Sequence, residues 1–261
     1  MGKIAQILGR ENRFGKLIER RDDRDMPFYN GKPVEISTKQ WILLWASVTV
    51  GFLALILIPQ PNNLIGLVPR ALFLAIPLLT LAYITKDHWK ALFHKPTKGD
   101  VGAVFFFLLL NVIVVFIVGL IVKSIFGTNS NTAADGLASA GVIEIISFYA
   151  GTAIQIMGEE VFTIIPFLAI MYFFYSKGKV TRKQAVICAW VLSAVWFSLA
   201  HLPTYGWNLL QVLLVIGTAR IIITLAYIRT KNLWVSFGVH VLNDWVIFTA
   251  VTFLPIILGA K

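Results

Sequence analysis

Apolar runs of bilayer length dominate this sequence. Segments spanning roughly 41–59, 66–85, 101–126, 139–157, 159–176, 184–201, 208–228 and 233–257 consist mostly of Leu, Ile, Val, Phe, Ala and Trp, and about 18 or more such residues suffice for one crossing. In lipid every backbone N–H and C=O must find a partner inside the protein, so only helices and closed barrels span. Runs this long predict helices. The expected fold is all-α: a multi-pass transmembrane bundle of about seven to eight helical segments. Three regions follow along the chain, a polar tail (1–40), N-terminal transmembrane helices (41–138) and a second helix bundle (139–261). Charged residues make up 14% of the chain, against about 25% in soluble domains, which excludes soluble enzyme and DNA-binding classes. The single cysteine, Cys188, excludes an internal disulfide and a zinc site built on paired thiolates.

The formal net charge of +10 is distributed as topology would have it. The tail holds nine Lys/Arg against six Asp/Glu and the remainder fourteen against seven. No basic groove interleaved with aromatics suggests nucleic acid. In the tail Ile4, Ile7, Leu8, Phe14, Leu17 and Ile18 recur at near-helical spacing with Arg10, Arg13, Lys16, Arg20 and Arg21 between them. That pattern fits a basic amphipathic helix on anionic lipid; a partly disordered solvated tail fits as well. The connections 86–98 and 177–183 carry four basic residues each and 229–231 two, whereas 59–65, 127–135 and 202–207 carry none. By the positive-inside rule the N-terminus, 86–98 and 177–183 are cytoplasmic in a cell-membrane protein, with 127–137 and 202–207 opposite. The alternation requires 139–176 to make one net crossing. A single helix of that length would be about 57 Å long against a core of about 30 Å. A break is therefore expected at Gly158-Glu159-Glu160, with 139–157 tilted, re-entrant or interfacial.

Outside the tail there are seven acids, Asp87, Asp100, Asp135, Glu144, Glu159, Glu160 and Asp244, and the last two glutamates and Asp244 lie in apolar segments, as does Glu144. A charge at bilayer depth costs about 2.5 kcal/mol even on the lenient scale, so each demands a reason. Consecutive helix positions diverge by about 100°, so one of Glu159 and Glu160 can face a cavity while the other meets a supporting partner. Two adjacent carboxylates also suit proton transfer; a pair at a helix start using the dipole is the plainer alternative. Phe197 and His201 are spaced i, i+4, as are His240 and Asp244, so each pair shares a face. Singly, either histidine fits a packed, hydrogen-bonded core. Together, acids and histidines on three apolar helices make a costly way to achieve packing alone. Arg220, the basic residue deepest in a late helix, either pairs with Glu159, Glu160 or Glu144 or snorkels to headgroups.

Glu159-Glu160, then Phe197-Ser-Leu-Ala-His201, then Asn232-Leu233-Trp234 leading into His240-Val-Leu-Asn-Asp244 resembles the motif series of the CPBP family, the CAAX-protease and bacteriocin-processing membrane proteins also called Abi, over about residues 140–250. The resemblance implies a bacterial-type intramembrane endopeptidase acting on a membrane-associated peptide or protein. It further implies that Glu159 or Glu160 activates water and that His201, His240 and Asp244 polarise the peptide carbonyl. The family's first motif ends in Arg four residues after the second Glu, where this chain has Ile164. No cofactor is certain; if zinc is bound, Glu159, His201 and His240 are the expected ligands. The competing reading is a non-catalytic membrane scaffold or bacteriocin-immunity protein that binds a peptide or signalling partner through the same cavity. A proton-coupled carrier would require two similar halves, and 41–126 has almost none of the buried polar residues of 139–244.

Overall fold

The computed structural model describes residues 13–20, 22–178 and 180–257, and among them are seven helices long and apolar enough to cross a membrane. In chain order these are α1 (Thr38–Leu57), α2 (Asn63–Thr85), α3 (Lys98–Phe126), α4 (Val142–Tyr172), α5 (Arg182–Ala200), α6 (Leu209–Thr230) and α7 (Leu233–Ile257). No strand occurs among the described residues. Helices α1, α3 and α5 each open with a reciprocal cap: Ser37 with Gln40, Thr97 with Asp100, Thr181 with Gln184. In each, the hydroxyl accepts the third residue's N–H and that residue's side chain accepts the cap's own N–H, satisfying two otherwise orphaned donors.

The three boxes lie at one end of the bundle. There the Lys231 ammonium donates to the Arg20 carbonyl, Ser176 donates to the Tyr29 carbonyl, and Asn232 pairs with the backbone of His94. At the other end the Asn63 N–H donates to Glu144, and Asn129 meets Gln211 and Tyr205. Chain direction alternates from helix to helix, so connections 58–62, 127–141 and 201–208 share that distal end.

Helix α4 is the axis of the bundle, packed by α1, α2, α5 and α7. It corrects one expectation: there is no break at Gly158. The helix runs unbroken through Gly158 and Pro166 and, with a wide π-type turn at Phe173–Lys177, reaches 36 residues, about 54 Å. Gly158 serves close packing instead, since a Cβ there would sit 2.7 Å from the Phe73 ring of α2. Gly51 of α1 meets the Phe73 backbone in the same way, with a Cβ 2.9 Å from its carbonyl oxygen. The helix is not confined to the hydrocarbon thickness. Its first turn projects with Val142, Ile143 and Ile146 exposed, whereas Ile156–Tyr172 is enclosed by protein.

The tail also departs from expectation. Residues 13–20 form a turn, not an amphipathic helix; the rest of that proposed helix, 1–12 and 21, lies outside the described residues. The described residues between Arg13 and Ser37 dock as a cap on the end where α5 and α7 begin, with Met26, Phe28, Tyr29 and Ile36 buried. Beneath it Arg182 grips Glu19 in a two-pronged pair at 2.6 and 3.0 Å and reaches Asp25 at 2.7 Å. Lys231 stands 3.5 Å from both Glu19 and Asp22, and Arg20 holds Asp100 of α3. Burial lowers the Lys231 pKa, opposed by Glu19 and Asp22. It raises that of the Tyr29 phenol, whose O–H donates to Asp25.

Candidate active site

Between Ile156 and Tyr172 every residue of α4 is buried except Glu159. Its side chain, 12% exposed, lines a cavity of about 330 Å³ between the distal halves of α1 and α5. Phe52, Leu55 and Ile56 from α1, Phe73 from α2, Gln155 and Phe162 from α4, and Phe197, His201 and Thr204 around the end of α5 complete the wall. Gln155, one turn before Glu159, donates its amide to Glu159 Oε1 at 2.9 Å. The second oxygen, Oε2, lies 3.7 Å from His240 Nε2.

Glu160, rotated by one helix position, points away into the bundle and is fully buried. Arg220 of α6, equally buried, grips it at 2.6 and 3.1 Å, with Nε fixed by Thr224. His240 Nδ1 stands 2.9 Å from Glu160 Oε1. An ionised carboxylate can only accept, so Nδ1 carries the proton and Nε2 is directed at Glu159 and at Asp244 Oδ2, 3.8 Å away. Asn243 donates to Asp244 at 3.0 Å and in turn accepts from Asn111 of α3 at 3.0 Å.

His201 terminates α5 and its Nδ1 lies 2.9 Å from the Phe197 carbonyl one turn back. A carbonyl accepts only, which again assigns the proton to Nδ1. Phe197 is the hub of the constellation. Its ring centroid is 4.5 Å from that of His201 and 6.0 Å from that of His240, and the Arg220 guanidinium stacks on it at 5.0 Å. Two α5 and α7 pairs chosen for their i, i+4 spacing thus meet α4 from either side. Glu144 stays apart at the distal end, bound to the start of α2. His88 and His94 belong to the connection at the cap end, where burial, joined by neighbouring Arg24, depresses the His94 pKa.

For a metal, the candidate set Glu159, His201 and His240 does not gather: among the described residues no cluster of three His, Cys, Asp or Glu is arranged to hold an ion. Gln155, Tyr205 and Asn111 carry no motif and were invisible in the sequence. Tyr205 sits in the 201–208 connection under Asn131, its phenol pushed up to about 12 by burial and by the carboxylates of Asp244 and Glu159. Ile164, one turn from Glu160 on α4, is buried among apolar neighbours.

Residues 141–246 match the family model described as Type II CAAX prenyl endopeptidase Rce1-like. The matched segment contains the acid pair, both histidines, Asp244, Phe197 and Arg220, and the family resemblance read from those motifs is shown over this span. Together with seven apolar helices, it supports a multi-pass membrane protein and the general class of protease. No curated protein and no solved structure matches the chain.

Proposed function

We propose that this CAAX-endopeptidase-like bundle hydrolyses a peptide bond of a membrane-associated peptide or protein, with Glu159 as general base. The observation that carries the reading is the asymmetry of the acid pair: Glu160 is clamped by Arg220 and His240, while Glu159 is the one carboxylate of α4 that lines the cavity. A water on Glu159 would lose its proton to the carboxylate as its oxygen bonds to the peptide carbon. The same proton passes to the departing amine when the C–N bond breaks. Charge developing on the carbonyl oxygen is met by doubly protonated His240 from Nε2; His201, its Nδ1–H held by the Phe197 carbonyl, lies at the cavity wall with an accepting Nε2. Phe197 and Glu160 hold those rings in place, and Asp244 faces His240.

Arg220 takes over the charge that the family's Arg supplies at the position of Ile164. A side chain at 164 would approach Glu160 along α4; Arg220 reaches the same carboxylate from α6. Buried Glu160 therefore has its cation despite the departure.

The test is cleavage of a library of internally quenched peptides by detergent-purified protein. Wild type should cleave and Glu159→Gln should lose on the order of 10²-fold or more. A folded wild-type protein that cleaves none of the library, yet binds members of it equally with and without Glu159, would replace hydrolysis by non-catalytic peptide binding.

A further inference from the structure

We infer that the cavity takes its substrate from the face of the membrane opposite the basic cap, which makes that substrate an uncharged or basic apolar segment exposed on the extracytoplasmic side. The hydrolytic half of this statement rests on the function proposed above; the sidedness rests on the order of residues along four helices. On α1, Trp45 precedes Phe52, Leu55 and Ile56, and that helix starts at the cap. On α5, which also starts at the cap, Trp196 precedes Phe197, His201 and Thr204. On α4, which runs the other way, Gln155 and Glu159 precede Phe162. In each case the cavity residues are distal and an aromatic residue separates them from the cap.

Those aromatics interlock into a floor. Trp196 stacks on Phe162 with centroids 5.1 Å apart, Trp45 meets Trp196 edge-on at 5.8 Å, and Phe52 meets Phe162 at 5.2 Å. Such a layer excludes a peptide arriving from the cap end. Beyond it the cap itself, from Arg13 to Ser37, covers the bundle. The opposite end of the cavity is edged by Gln60, Pro203 and Thr204, which belong to the distal connections.

Charge assigns the two ends to the two sides of the membrane. Connections 58–62, 127–141 and 201–208 contain no Lys or Arg; the basic residues nearest that end among the described residues are Lys123 and Arg70, whose guanidinium donates to Asn63. Every Lys/Arg-rich connection, 86–98, 177–183 and 229–231, is at the cap end. The single uninterrupted α4 makes this alternation complete over seven crossings, and the basic end stays on the side of insertion. Among the described residues the cavity wall holds no Lys or Arg to receive an acidic group, and its one carboxylate is Glu159. Its aromatic and aliphatic lining selects an apolar segment, and an acidic one would meet Glu159 unpaired.

Labelling with a membrane-impermeant maleimide tests the sidedness in a Cys188→Ser background. Cysteine at Thr204 or Trp207, both exposed at the distal end, should react in intact cells. Cysteine at Lys177, exposed at the cap end, should react only after permeabilisation. The reverse pattern overturns the inference. Fluorogenic peptides added outside intact cells test the substrate class: neutral apolar peptides should be cleaved by wild type and not by Glu159→Gln, and acidic ones at least tenfold more slowly. Cleavage that appears only on permeabilisation, or a preference for the acidic peptides, also overturns it. If labelling follows the expected pattern while purified protein cleaves nothing, the proteolytic reading fails and the orientation of the cavity stands.

Discussion

Two buried ion networks lie at different depths of this molecule, and they are built alike. Under the cap, Glu19 is gripped by both nitrogens of Arg182, with Lys231 beside it; in the bundle, Glu160 is gripped by both nitrogens of Arg220, with His240 beside it. Both carboxylates and both arginines are buried to 1% exposure or less. They differ in what lies one step outward. Glu19 leads to Asp25, Asp22 and the backbone of the cap, all of it protein holding protein. Glu160 leads through His240 to Glu159 and Asp244, and Glu159 borders a cavity. A buried charge pair is therefore no signature of chemistry. The signature is a second titratable group that the pair orients and leaves facing open space.

The largest expected loss follows from breaking the deeper network. Glu160→Gln leaves the Arg220 guanidinium buried without a counter-charge, which should destabilise the protein by about 3–5 kcal/mol, read as unfolding of the detergent-solubilised protein on heating. Arg220→Gln removes the cation from the same pair and should fall in this range, with partial recovery by Ile164→Arg if that side chain reaches Glu160. A double variant no more stable than Arg220→Gln would separate the α6 arginine from the family's position. In the cap, Arg182→Gln should cost less, about 1–3 kcal/mol, because Lys231 remains near Glu19. If the cap network is purely structural, peptide cleavage per folded molecule stays at the wild-type rate; a selective fall in cleavage would join the two networks. Gly158→Ala sets a Cβ against the Phe73 ring and should cost about 1–3 kcal/mol by overpacking, measured the same way. No loss there would mean that α2 and α4 can part without consequence.

What could be read from the sequence followed local spacing. Adjacent glutamates must diverge, Phe197 and His201 must share a face, and so must His240 and Asp244; those geometries come from one helix at a time. The number of helices was nearly legible too, since apolar length and alternating basic connections both act locally. The glycine at 158 is ambiguous in sequence because a break and a close contact ask for the same residue, and only the partner, Phe73 on another helix, distinguishes them. The cap was hidden for a similar reason: Glu19 and Arg182 are 163 positions apart, and no periodicity links them. Gln155 reaches the cavity through tertiary packing and belongs to no motif, as Tyr205 under Asn131 belongs to none. Arg220 was traceable because a guanidinium in an apolar helix needs a partner, although which acid it would reach was open until the bundle was assembled.

The central claim is that two neighbouring glutamates have separate duties, one structural and one facing substrate. Glu159→Gln and Glu160→Gln, purified side by side in detergent, test it through melting temperature and peptide cleavage. Glu159→Gln, which retains a side chain able to bond Gln155, should melt within about 2 °C of wild type, the equivalent of under about 1 kcal/mol, yet lose cleavage on the order of 10²-fold or more. Glu160→Gln should melt several times further below wild type. Equal melting losses in the two variants, or a Glu159→Gln protein that still cleaves at the wild-type rate, would contradict the division.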